Sequence, residues 1–190
     1  MVGAAAFVAC REAASTIAPH MVPTARAIWS ALEIRKPMLL RNVEPLDESQ
    51  LRWRPGPARN SIAWQIWHIA EVEDNWIRAT VMREPLRFPF GRPLLETPEE
   101  AWPGGRELLA YLDEVRLVSR ERLASSAEHD FEVTAEDPDF GTMSVLDVWM
   151  GVATSFSWHA GQVALTAKLM PDSPVVSKPF EGWAGHEATD

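Results

Sequence analysis

Ser61-Ile62-Ala63-Trp64-Gln65-Ile66-Trp67-His68-Ile69-Ala70-Glu71-Val72-Glu73-Asp74-Asn75 is the stretch that decides the fold. Ile62, Ile66, Ile69, Val72 and Trp76 recur at three- and four-residue steps, the pattern of one apolar helix face. At about 100° per residue, His68 falls beside that stripe and shares its flank with Trp64, Glu71 and Asn75. A histidine there reaches toward an interior, where a polar group must be paired or bind something. Asp74 points about 120° away from His68 and reads as the solvated side of the helix.

Further helices surround this one. From Pro23 to about Val43 a loose helical period runs through Ile28, Leu32 and Leu39, and Pro37 predicts a break near residues 33–37. Asp47 to Leu51 allows a single turn before the Pro55-Gly56-Pro57 break. Asn60 or Ser61 caps the central helix, which ends before Pro85. After a proline-rich loop, Thr97-Pro98-Glu99-Glu100 has the form of a helix start that Pro103-Gly104-Gly105 interrupts. Leu108, Leu112, Val115 and Val118 carry a third helix to about Ser125. An acidic segment follows, with room for a short hairpin around Phe131-Glu132-Val133. Ser144 and Asp147 then cap a helix that runs to about Met170 and buries Val145, Val148, Val152, Phe156, Val163 and Ala167. His159 lies on that face. Phe180 and Trp183 suggest that the tail packs back onto the helices. The expectation is an all-α four-helix bundle with irregular loops, forming one domain over residues 1–190 with its core at 24–169 and its tail at 170–190.

The 190 residues suffice for a sizeable core. A formal charge of −9 repels phosphate backbones, so nucleic acid is not an expected partner. No stretch approaches a membrane span. The single cysteine, Cys10, excludes intrachain disulfides and fits a reducing, cytoplasmic setting. Nine tryptophans against one tyrosine imply either helix packing by large rings or an indole-lined pocket. Phosphate loops, Cys-x-x-Cys pairs and nucleophile elbows are missing from the sequence.

The remaining chemistry is carried by His68 and His159, on the two most strongly patterned helices. Taken singly, each is more often a hydrogen-bonded core histidine; facing residues of separate helices are also how bundles build metal sites. His20 and His129 read as surface residues, and His186 as a weak candidate in the tail.

Residues Ser61 to Glu71, followed far downstream by His159-Ala160-Gly161-Gln162-Val163, resemble the DinB/YfiT-like superfamily. The approach from Leu46 to Pro57, with its Leu51-Arg52-Trp53-Arg54-Pro55-Gly56-Pro57, resembles that family's lead-in to its second helix. The resemblance spans roughly Thr24 to Leu169. It implies an up-down-down-up bundle, often a homodimer, with a divalent metal between the second and fourth helices. It also implies a small-molecule substrate and, in relatives that are thiol-dependent transferases or isomerases, a low-molecular-weight thiol such as mycothiol, bacillithiol or glutathione. His68 matches the first histidine ligand of the family and His159 the last. Ser155 stands four residues before His159, where the pattern has a histidine, and a neutral hydroxyl is a poor ligand for zinc or nickel.

Three outcomes follow. Glu71 supplies a third ligand, a set that also suits non-haem iron; water completes a weak two-histidine site; or the site is empty and the histidines bond to Ser155, Glu71 or Asn75. With a metal bound, the implied chemistry is Lewis-acid activation of water or a thiol, with Glu71 as ligand or general base. Trp64, Trp67 and Phe156 would wall the substrate, and Gln162 would orient a ligand or donate into the pocket. Two functions stay open: a metal-dependent enzyme of thiol-transferase or hydrolase kind, or a non-enzymatic bundle kept for small-molecule binding or dimeric association.

Overall fold

The computed structural model describes residues 20–57, 59–137 and 140–175. Cys10, Phe180, Trp183 and His186 lie outside them, and with them the expectations for the N-terminus and the tail.

The fold is mostly helical, with one small sheet. Helices α1 (Pro23–Glu33) and α2 (Lys36–Val43) are a single run broken at Ile34 and Arg35, as Pro37 predicts. Helix α3 (Glu48–Arg52) is one turn, held by a reciprocal Asp47–Gln50 capping box. The long helices are α4 (Ile62–Asn75), α5 (Gly105–Ser125) and α6 (Val145–Leu169). Helix α4 packs on both α5 and α6, while α1 and α2 pack on α6 and α1 also meets α5. His68 on α4 and His159 on α6 are thereby carried by helices in direct contact.

Local chemistry fixes the helix ends. The Ser61 hydroxyl accepts the Trp64 N–H, and Ser144 with Asp147 forms the expected capping box. Helix α4 does not simply stop. It widens into a π-helical segment, Trp76–Met82, closed by Arg83 in the left-handed conformation (φ 58°). Gly151 on α6 permits this close passage, because a Cβ there would lie 2.2 Å from the Trp76 ring.

Two expectations are corrected. The Thr97-Pro98 start yields only a 3-10 turn, Glu99–Ala101, and the Thr97 hydroxyl donates to the Pro93 carbonyl instead of capping. Helix α5 begins beyond Pro103, where the Glu107 and Glu48 carboxylates accept the N–H groups of Gly104 and Gly105. The hairpin lies later than Phe131-Glu132-Val133. Those residues close a 3-10 turn, and β1 (Thr134–Asp137) pairs antiparallel with β2 (Gly141–Ser144), Thr134 opposite Ser144 and Asp137 opposite Gly141. Gly141 takes φ 73° at the turn, a conformation that costs glycine little.

Two apolar clusters fill the interior. One gathers Ile62, Ile66, Trp67, Leu108, Leu112 and Phe156; the other gathers Ile28, Trp29, Leu32, Ile77 and Trp149. Among the described residues, the indoles of Trp29, Trp67, Trp102 and Trp149 go to packing.

Charge also enters this interior. Asp74, expected to face solvent, is 1% exposed; it accepts from Arg78 Nε at 2.6 Å, from Arg87 Nε at 3.3 Å and from the Tyr111 hydroxyl at 3.1 Å. Two guanidiniums and a phenol offset its desolvation, which is why the helix flank away from His68 is buried. Burial, and next the Asp74 charge, push the Tyr111 phenol above its ordinary range. Glu73 is equally buried, accepting from Arg116 Nη2 at 2.9 Å and from Ser119 Oγ at 2.7 Å. The Arg116 guanidinium lies 4.6 Å from the centre of the Phe156 ring.

Candidate functional site

The imidazoles of His68 and His159 meet between α4 and α6, their ring centres 4.7 Å apart and their planes inclined by 73°. Trp64, one turn before His68 on α4, stacks on it at 4.6 Å with the planes 19° apart, and its ring is 6.3 Å from that of His159. All three side chains are half-buried. Helical spacing creates this arrangement, since residues four apart on α4 share a face and the packing of α6 on α4 supplies the second histidine.

Both imidazoles are held neutral. Burial, reinforced by the neighbouring His159, brings the His68 pKa down from 6.5 to about 4. His159 is also lowered by burial, with the Gln162 side chain opposing the shift. The His159 Nδ1 atom is buried and has no hydrogen-bond partner among the described residues, and the same holds for Asn75 Oδ1. An unsatisfied buried nitrogen costs about 1–3 kcal/mol, so the His159 side of the centre is suited to an additional partner.

The other expected site residues divide. Gln162 and Ser155 are half-buried on α6, three residues after and four before His159. Glu71 turns to the 3-10 turn Leu94–Glu96, where its two carboxylate oxygens accept the Leu94 N–H at 3.2 and 3.1 Å. Burial raises the Glu71 pKa, while that N–H opposes the rise. Trp67 is fully buried with its ring edge-on to Phe90 and Trp102, and Phe156 is fully buried beneath Arg116. His20 is exposed, as is His129, whose side chain is 81% accessible. The Glu73–Arg116 pair was not foreseen. Its signal was present, because Glu73 stands seven residues after Ile66 on the apolar stripe, a position no solvated carboxylate would occupy.

The donors around the two imidazoles do not, among the described residues, make up the ligand set of a tight metal centre. Among the described residues, no group of three or more His, Cys, Asp or Glu is arranged to hold an ion. Catalytic zinc sites use three protein ligands, whereas here Glu71 is committed to a backbone N–H and Ser155 offers a neutral hydroxyl.

A helical protein with a neutral two-imidazole centre between its two most apolar helices is the class that fold and site define. The chain belongs to the DinB superfamily, whose family model matches residues 31–162. No curated protein matches it. Among solved structures it is similar to a conserved protein from Enterococcus faecalis, at 15% identity and a TM-score of 0.62, over 76% of this chain and 95% of that one. That likeness is one of fold.

Proposed function

We propose that this chain is a small-molecule-binding member of its superfamily, built as an up-down-down-up four-helix bundle, in which His68 and His159 hold a polar ligand and at most a loosely bound divalent ion. The observation that carries this reading is the pair of facing neutral imidazoles, one with an unpartnered buried nitrogen, without a third ligand beside them among the described residues. A neutral imidazole both accepts and donates a hydrogen bond, so two of them recognise a group such as a carboxylic acid, thiol or hydroxyl. A pKa near 4 makes His68 a weak base at neutral pH, which favours binding over proton abstraction. The Trp64 indole supplies an apolar wall, and Gln162 is positioned beside His159 to orient it.

The enzymatic alternative, a thiol-dependent transferase or hydrolase using Zn, Ni or Fe, needs a further ligand: Glu71 is the candidate, or water completes a weak two-histidine site. Metal analysis of the purified chain separates the readings. Binding without a tight centre predicts far less than one metal per chain, with the His68→Ala variant changed in stability but not in metal loading. Near-stoichiometric metal, lost in both His68→Ala and His159→Ala, would overturn it. No helix among the described residues is long and apolar enough to cross a membrane.

A further inference from the structure

The His68–His159 centre sits in an uncharged part of the molecule. Asp147 and Lys168 are the only Asp, Glu, Lys or Arg residues of α6, and His159 stands roughly 18 and 14 Å from them along the helix axis. On α4, Ile62 to Ala70 include no such residue. Glu71 comes next, and both its oxygens turn to the Leu94 N–H. Glu73 and Asp74, the remaining carboxylates of α4, are closed in ion pairs with Arg116, Arg78 and Arg87. Both histidines lie more than one turn from either end of their helices, away from the free N–H groups and partial charge found there. Accordingly, among the described residues no carboxylate or guanidinium moves the titration of either ring, and burial comes first for both.

The groups that do face the imidazoles are polar and neutral. Ser155 and Gln162 stand half-buried on α6, about one turn before and after His159, and the buried His159 Nδ1 has no partner among the described residues. An anion bound here would give up its hydration and meet neither an ammonium nor a guanidinium. A cation would meet no uncommitted carboxylate, since Glu71 is held by the loop. Either would keep an uncompensated charge in a half-buried setting, which is costly. A neutral group escapes that cost, because it exchanges hydrogen bonds to water for hydrogen bonds to imidazole, hydroxyl and amide.

We infer that this centre takes an uncharged ligand and discriminates against anions and cations of the same shape. The ligand presents a neutral hydrogen-bonding group, such as an amide, an alcohol or an undissociated thiol, to the two imidazoles, and an apolar part to the Trp64 indole. The inference rests on the binding function proposed above and adds the charge of what is bound.

Benzamide, benzoate and benzamidinium share one flat shape and differ in charge, being neutral, negative and positive. Each is titrated into the isotope-labelled full chain at pH 7, and the nuclear magnetic resonance signals of the Trp64 indole and the His159 imidazole are followed. A Trp64→Phe variant assigns the indole signal. Benzamide should shift both signals, and its two charged analogues should bind about tenfold or more weakly. The benzamide dissociation constant should not change between about 20 and about 500 mM NaCl, since no charge pair forms for salt to screen. Ser155→Arg places a guanidinium one turn from His159 and should reverse the preference in favour of benzoate, with far-UV circular dichroism as the control for folding. Benzoate or benzamidinium binding to the wild-type chain as tightly as benzamide, at the same two signals, would overturn this inference and leave the binding function standing. Signals that none of the three probes moves would remove the binding function and this inference with it.

Discussion

Replacing Glu73 by Gln removes one charge from a buried pair while keeping the side-chain volume. Glu73 and Arg116 have side-chain exposures of 1% and 3%, and their bond at 2.9 Å is supported by Ser119 on the carboxylate. The Arg116 guanidinium would be left with Phe156 beneath it and Glu33 at 3.7 Å, too distant for a good hydrogen bond. Breaking such a pair strands a charge in the interior and costs about 3–5 kcal/mol. Against a total stability of about 5–15 kcal/mol, that is a large fraction. The melting temperature should fall by roughly 10 °C in a chain of this size. Converting both partners to apolar residues, Glu73→Leu with Arg116→Met, should recover most of the loss, since neither desolvated charge remains. Urea denaturation at pH 7, followed by tryptophan fluorescence, gives all the free energies of the double-mutant cycle, and the slope with denaturant should not change. A Glu73→Gln loss below about 1 kcal/mol would refute the reasoning, as the cited penalty for an unpaired buried charge leaves no room for it. A double variant as unstable as the sum of the single ones would do the same.

Two further outcomes follow from the same packing. Because the folded pKa of His68 lies below its ordinary 6.5, the unfolded chain takes up the proton first as the pH falls. The stability carried by the neutral ring is thus full above pH 6.5 and lost between there and about pH 4. Its ceiling is about 3 kcal/mol, and partial exposure of the ring reduces that to about 1–2 kcal/mol. Urea midpoints measured from pH 4 to 8 should fall more steeply for wild type than for His68→Gln, and parallel curves would count against the buried neutral imidazole. Gly151→Ala should cost about 1–3 kcal/mol by forcing a methyl group into the Trp76 ring; a loss under 0.5 kcal/mol in thermal denaturation would mean that the ring moves aside freely.

Periodicity alone located the long helices, because an apolar stripe at 3.6-residue spacing has only one way to be buried. Ser61 and Ser144 marked two starts through capping chemistry confined to neighbouring residues. Local signals failed where a distant group intervened. Thr97 has every local feature of a cap, yet helix α5 starts at Gly105, where Glu48 from another helix holds the first N–H. Asp74 looked solvated because Arg87 and Tyr111, which compensate its charge, are 13 and 37 residues away.

The candidate site divides along the same boundary. From the sequence came the two histidines and the indole one turn before His68; the family resemblance added that Ser155 stands where a third histidine ligand is usual. That the imidazoles lie 4.7 Å apart, and that Glu71 belongs to the Leu94 N–H and not to them, was decided by the packing of α4 against α6 and the path of the loop between α4 and α5. Spacing along one helix fixes which side chains share a face. Which face meets which, and what each buried charge finds there, depends on free energies summed over the whole interior.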